Sequence, residues 1–287
     1  MAVKENLRTL LGAGWLGWQM EANWTDPFLF MVYSVAKPVS AALILVLMYM
    51  VILGGVGTQG DHFAYIYLGN AFFIYVGQVL FGVTWVIHED REHYQTLKLI
   101  YISPISFYYY IIGRAASKIL IATIAVIVTL LFGVYVLSIP VNAFAMDWGL
   151  LALGLTVGMA CLVSIGIALS GITFLTAKHS GGINEGIAGL FYVFSGVVFP
   201  LTQLPEWGQS FGFAIPVTYW LEAMRRALYP GLSLFPGRTG MEGVSNLGLV
   251  LLLAVSALFF YFLSILIFRL GDYLARRAGK IDMTTAY

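Results

Sequence analysis

The chain has 287 residues, of which 60% are hydrophobic and only 10% charged, with a net charge of +1 and a mean hydropathy of +0.87. A soluble domain carries about a quarter charged residues, so the composition excludes an ordinary soluble fold and describes an integral membrane protein. The near-neutral charge gives no reason to expect a nucleic-acid partner, and the single Cys161 excludes an intramolecular disulfide and a cysteine-based metal site.

Residues 1–24 predict an amphipathic helix lying on the membrane surface. Leu7, Leu10, Leu11, Trp15, Trp18 and Met20 form an apolar stripe beside Lys4, Glu5 and Arg8. No continuous apolar core with a cleavage site follows, so it does not read as a signal peptide. Six apolar stretches then approach or exceed the roughly 20 residues needed to cross a bilayer: 28–54, 63–87, 105–137, 148–176, 184–203 and 244–269. Their length and lack of strict alternation favour helices over barrel strands.

Lys37 lies inside the first stretch, followed by Pro38. It either snorkels to the inner interface or, with a helix kinked at Pro38, lines a substrate path. With both termini on one side, that side holds Lys4, Arg8, Arg91, Lys98, Arg114, Lys118, Lys178, Arg269, Arg276, Arg277 and Lys280. The other holds Arg225, Arg226 and Arg238. The asymmetry places both termini in the cytoplasm of a multi-pass protein of the cell membrane.

Between the second and third stretches stands HEDREHYQTLKLIYISPIS, residues 88–106. Residues 89–102 predict a short amphipathic helix with Tyr94, Leu97, Ile100 and Tyr101 on its apolar face. The charged surface carries Glu89, Asp90, Arg91, Glu92, His93 and Lys98. The acidic residues cluster at the helix start, where the dipole favours them, and Ser103-Pro104 ends this helix and caps the next. One reading is a solvated connector. The other is a docking element for a soluble partner, which explains an apolar face with two tyrosines.

Past the fifth stretch, residues 204–230 predict two short helices around Pro216 that dip into the outer leaflet or lie on it, rich in Trp and Tyr. Within them Glu222, Arg225 and Arg226 are spaced for i, i+3 and i, i+4 pairs. They are either an interfacial ion-pair cluster or a gate for a substrate headgroup. No G-x-x-x-x-G-K-[ST] loop occurs, and the four histidines are too scattered for a metal site. Ser164 and Ser170 sit among small residues, where helix packing accounts for them.

The run REHYQTLKLIYISPISFYYYIIGRAASK resembles the cytoplasmic segment of type-2 ABC exporter permeases. Thr96-Leu97, Ser103-Pro104-Ile105-Ser106 and Gly113-Arg114 match its pattern, while Gln95 stands where that pattern has glycine and Lys98 where it has glutamate. FSGVVFPLTQLPEWGQSFGFAIPVTYWLEAMRRAL is similar to the fifth span and outer hairpin of the same family.

The resemblance implies an all-α permease domain of six spans. It implies two copies, as a homodimer or related heterodimer, around a central path, and two ATPase subunits that bind Mg-ATP. Residues 89–102 become the coupling helix, with Glu89, Arg91, Glu92, Tyr94, Thr96, Leu97, Ile100 and Tyr101 at the ATPase contact. The expected cargo is amphiphilic or apolar: a lipid, a lipid-linked glycan or a drug. Lys37, Glu222, Arg225 and Arg226 are candidates for the path or its gate. The rival is a membrane-embedded enzyme of lipid metabolism, for which Glu89, Asp90, Glu92 and His93 are the available groups. A passive channel is disfavoured, because no span carries a polar stripe.

Overall fold

The computed structural model describes residues 2–22, 26, 28–29, 32, 36, 39–41, 43–44, 47–48, 51, 60–139, 141–176, 180–230 and 240–279. Every element among them is helical. Helix α1 is Ala2–Ala22. The described residues between 28 and 51 are helical as well, but the expected span 28–54, with Lys37, lies largely outside the described residues.

A continuous rod, α2, is α-helical over Gly60–Tyr75, π-helical over Val76–Phe81, α-helical over Gly82–His88 and π-helical over Glu89–His93. Helix α3 is Leu97–Ile102, α4 is Phe107–Tyr135, α5 is Trp148–Thr173 and α6 is Ser180–Phe194. Helices α7, Glu206–Ala214, and α8, Pro216–Leu228, form the hairpin, and α9 is Asn246–Arg277.

Four of these helices are long and apolar enough to cross a membrane: Phe63–His93, Phe107–Tyr135, Trp148–Thr173 and Asn246–Arg277. The expected span at 184–203 is different in form. Its helix α6 has 15 residues, which at 1.5 Å each reach only about 22 Å against about 30 Å of hydrocarbon. Gly196 adopts a left-handed φ of 70° just after it and turns the chain into the Leu201–Gln203 3₁₀ turn.

Helix starts follow local chemistry. The Asp147 carboxylate accepts from Leu150 N at 2.9 Å to cap α5, Ser245 Oγ accepts from Gly248 N at 3.1 Å to cap α9, and Pro216 opens α8. The Ser-Pro step ends α3 but does not begin α4. Ser103 is extended, and its hydroxyl folds back to Ile100 O at 2.6 Å. The next helix starts from Ser106 instead.

Packing rests on small residues, as helices without a hydrophobic drive between them require. Helices α5 and α9 cross where Gly171 meets Gly271, with no room for a Cβ on Gly271 beside the Gly171 carbonyl. Helix α1 lies along α4 through Gly14 against Gly113 and Gly17 against Ser117. Its Leu7, Leu11, Trp15 and Leu16 stay exposed, as a surface-lying helix needs.

Of the two expected placements of the hairpin, dipping in or lying on the surface, the burial of helix α8 does not fit a helix lying free on the surface. Every residue but Tyr219 is buried, enclosed by α2, α5 and α9. Trp220 fills its centre. The ring fits against Gly158, which leaves room for it, and meets Phe72 and Tyr75 edge-on at 6.0 and 5.9 Å. Its indole N–H donates to Gly154 O at 3.1 Å.

Candidate functional site

The insert is not one helix over 89–102. Its first five residues continue α2 as a π-helical turn, and the chain then breaks at Tyr94–Thr96 before α3 begins. Two causes are visible. Gln95 takes a left-handed φ of 54°, the conformation that favours glycine and that no helix interior accepts. Upstream, Asp90 is fully buried and Glu89 partly so, both drawn against α4.

Arg114, two turns into α4 and fully buried, organises that contact. Its Nη1 donates to Asp90 Oδ1 at 3.2 Å, and its Nη2 to Glu89 Oε2 at 2.9 Å. Tyr110 donates to the other Asp90 oxygen at 2.9 Å. One turn on, Lys118 pairs with Glu89 at 3.4 Å and with Glu21 of α1. Met20 Sδ lies 2.8 Å from Arg114 Nη1.

Three elements, α1, α2 and α4, are thus tied through two cations and three carboxylates. Removing one partner of such a buried set typically costs about 3–5 kcal/mol, because the rest are left uncompensated in low dielectric. The insert therefore leaves the membrane body as a braced extension of α2.

The expected apolar docking face is turned inward. Leu97 and Ile100 are buried, in a cluster with Ile87, Tyr110, Phe174 and Phe268 of the chain's own bundle. Tyr101 is half-buried; its ring stacks on Phe107 at 5.3 Å, and its hydroxyl donates to Asp272 of α9 at 2.5 Å. Burial, and then this carboxylate, push the Tyr101 phenol well above its usual pKa, so it keeps its proton at neutral pH.

The face that remains outward is Lys98, Leu99 and Ile102, with Leu99 61% and Ile102 81% exposed. Tyr94 is partly exposed, and with Trp85, His88, Glu92 and His93 it borders an open groove against the end of α1. Arg91 is buried and pairs with Glu92 at 3.0 Å. Its two terminal nitrogens and Thr96 Oγ1 find no hydrogen-bond partner among the described residues.

At the opposite end, Glu222, Arg225 and Arg226 are buried structural anchors. Arg226 pairs with Glu222 at 2.8 Å and donates to Val244 O at 2.6 Å and Met241 O at 2.8 Å, holding the start of α9. Arg225 instead meets carbonyls: Tyr65 O at 3.1 Å, Gly196 O at 2.7 Å and Val197 O at 3.2 Å. Its guanidinium sits 3.7 Å over the Tyr65 ring. Of the two spacings read in the sequence, Glu222–Arg226 forms an ion pair and Glu222–Arg225 does not.

The sequence marked Arg114 as a topology charge and as part of the Gly113-Arg114 family match, and Lys118 as a topology charge, but gave Asp90, Tyr110, Glu21 and Asp272 no role at the docking site. One signal was available: a cation well inside an apolar run needs a partner, and Glu89-Asp90 is the nearest acidic pair on the neighbouring span. In comparison with known proteins, the model of the family described as ABC-2 type transporter matches residues 15–229. No curated protein matches the chain.

Proposed function

The chain belongs to the ABC-2 type transporter family, and on that premise we propose that it is the permease of an exporter, driven from its charged end by a separate ATPase. Membership makes it a membrane-embedded transport subunit and implies an ABC ATPase partner. The finer reading concerns how force enters. The charged end faces the cytoplasm, two ATPases seat on two copies of the permease, and Mg-ATP turnover moves the α2–α3 corner of each copy. Alternating access of an amphiphilic or apolar cargo follows from rigid spans on either side of that corner.

The observation that carries the reading is the split insert. Its inner face is bonded into α1, α4 and α9 through Arg114, Lys118 and Tyr101, so a push on α3 is passed on rather than absorbed. Its outer face presents Leu99 and Ile102 with no cover from the described residues, and the orphaned Arg91 nitrogens leave bonding unfinished in the same segment. The enzyme alternative loses support, because Glu89 and Asp90 are neutralised by Arg114 and Lys118 rather than aimed at a reacting centre.

The test is affinity purification of the tagged chain from its native membrane. The wild type is expected to bring an ATP-hydrolysing subunit with it, and the Leu99→Asp, Ile102→Asp double variant to lose that subunit while staying monodisperse. An unchanged yield of ATPase with the double variant would sink the proposal.

A further inference from the structure

We infer that the groove between α3, the first turn of α4 and the last turns of α9 is a binding site for the headgroup of an anionic phospholipid. The groove encloses about 480 Å³, and its polar side chains include Tyr101, Tyr108, Tyr261, Arg269, Asp272 and Arg276. Asp272 is already engaged: Arg276 meets it through Nε at 3.1 Å and Nη2 at 2.8 Å, and Tyr101 donates to it at 2.5 Å. Arg276 keeps its side chain 57% exposed and lies 4.8 Å from the Tyr101 ring centre. Arg269 forms no ion pair with any described residue and is exposed. Two arginines thus face one carboxylate, and the positive charge left over is that of Arg269.

The position of the groove selects a lipid over a soluble anion. Arg269 closes the apolar run of α9, one turn beyond Leu266 and two beyond Phe262, on the same side of the helix. Leu266 is 65% and Phe262 66% exposed. An anion held at Arg269 therefore has an uncovered apolar surface leading from it into the bilayer, which fits acyl chains attached to a phosphate. Tyr261, about two turns deeper on α9 and 43% exposed, lines the same groove and continues that uncovered surface toward the bilayer. Basic pockets between helices at this level are suited to anionic headgroups, each arginine adding about 1 kcal/mol. Such a site needs only the membrane setting and is independent of cargo and of the ATPase.

Native mass spectrometry of the full chain in detergent tests it. The probes are palmitoyl-oleoyl phosphatidylglycerol and the matching phosphatidylcholine. The wild type should hold the anionic lipid roughly fivefold more tightly than the zwitterionic one. Arg269→Gln should erase that preference, Arg269→Lys should keep most of it, and Arg277→Gln, outside the groove, should leave it intact. Equal retention of both lipids by the wild type overturns the assignment, as does an Arg277→Gln loss equal to that of Arg269→Gln. Displacement of the lipid by excess inorganic phosphate alone would make this a soluble-anion site and also overturn it.

Discussion

The two ends of the bundle both hang on buried arginines, yet they are wired differently. At the charged end Arg114 faces two carboxylates on α2, and a second cation carries the tie to α1. At the hairpin end Arg225 faces three backbone carbonyls and an aromatic ring. Carbonyls are fixed by the fold, so Arg225 locks one geometry. Carboxylates sit on side chains that turn, so the charged end can stay neutral while its helices shift. The lock belongs where the hairpin must stay seated, and the adjustable cluster belongs where the proposed drive enters.

Arg114→Met should break this contrast most severely. It leaves Asp90 buried without its cation and Glu89 with Lys118 alone, and a loss of about 3–5 kcal/mol is expected, read as a fall in thermal midpoint and in monodisperse yield. Adding Asp90→Asn and Glu89→Gln to the same chain should recover part of it, because the buried charge goes with them.

Arg225→Met should cost less, about 2–3 kcal/mol, the worth of hydrogen bonds from a charged donor to buried acceptors. The lysine variants sharpen the difference. Arg114→Lys keeps the charge that matters and should retain more stability than Arg225→Lys, whose single point charge cannot span Tyr65, Gly196 and Val197 together. Equal losses from the two lysine variants, measured by thermal unfolding, would erase the distinction drawn here.

Tyr101→Phe is milder. It removes one hydrogen bond between α3 and Asp272 and should cost about 1 kcal/mol, with transport-coupled ATP hydrolysis falling more than stability does. Smallest of all on stability is Leu99→Asp, within about 0.5 kcal/mol for an exposed position, although the ATPase association should weaken strongly. Leu97→Asp, two residues away, should instead fail to fold, since Leu97 is 1% exposed.

The elements with strong local signals were legible before the structure. These were the amphipathic α1, the hairpin turning at Pro216 and the i, i+4 pair of Glu222 with Arg226. Amphipathicity showed that Leu97, Ile100 and Tyr101 form an apolar face, but not that their own bundle covers it, because periodicity reports burial and never the identity of the cover. The break at Gln95 was hidden for a related reason. Glutamine carries no mark of a left-handed conformation, although it stands where the family pattern has glycine. The carbonyl partners of Arg225 left no trace at all, since any residue type supplies a carbonyl. The length of α6 was misjudged because apolar residues continue through Val197, Val198 and Phe199 after the helix has ended.

The central claim is that α3 offers Leu99 and Ile102 to the ATPase while Leu97 and Ile100 hold it to the permease. A photoreactive amino acid placed singly at each of these four positions, in the full chain within its native membrane, tests this directly. Positions 99 and 102 should form covalent adducts with an ATP-binding subunit, and positions 97 and 100 should form none. Adducts from 97 and 100, with none from 99 and 102, would contradict the account.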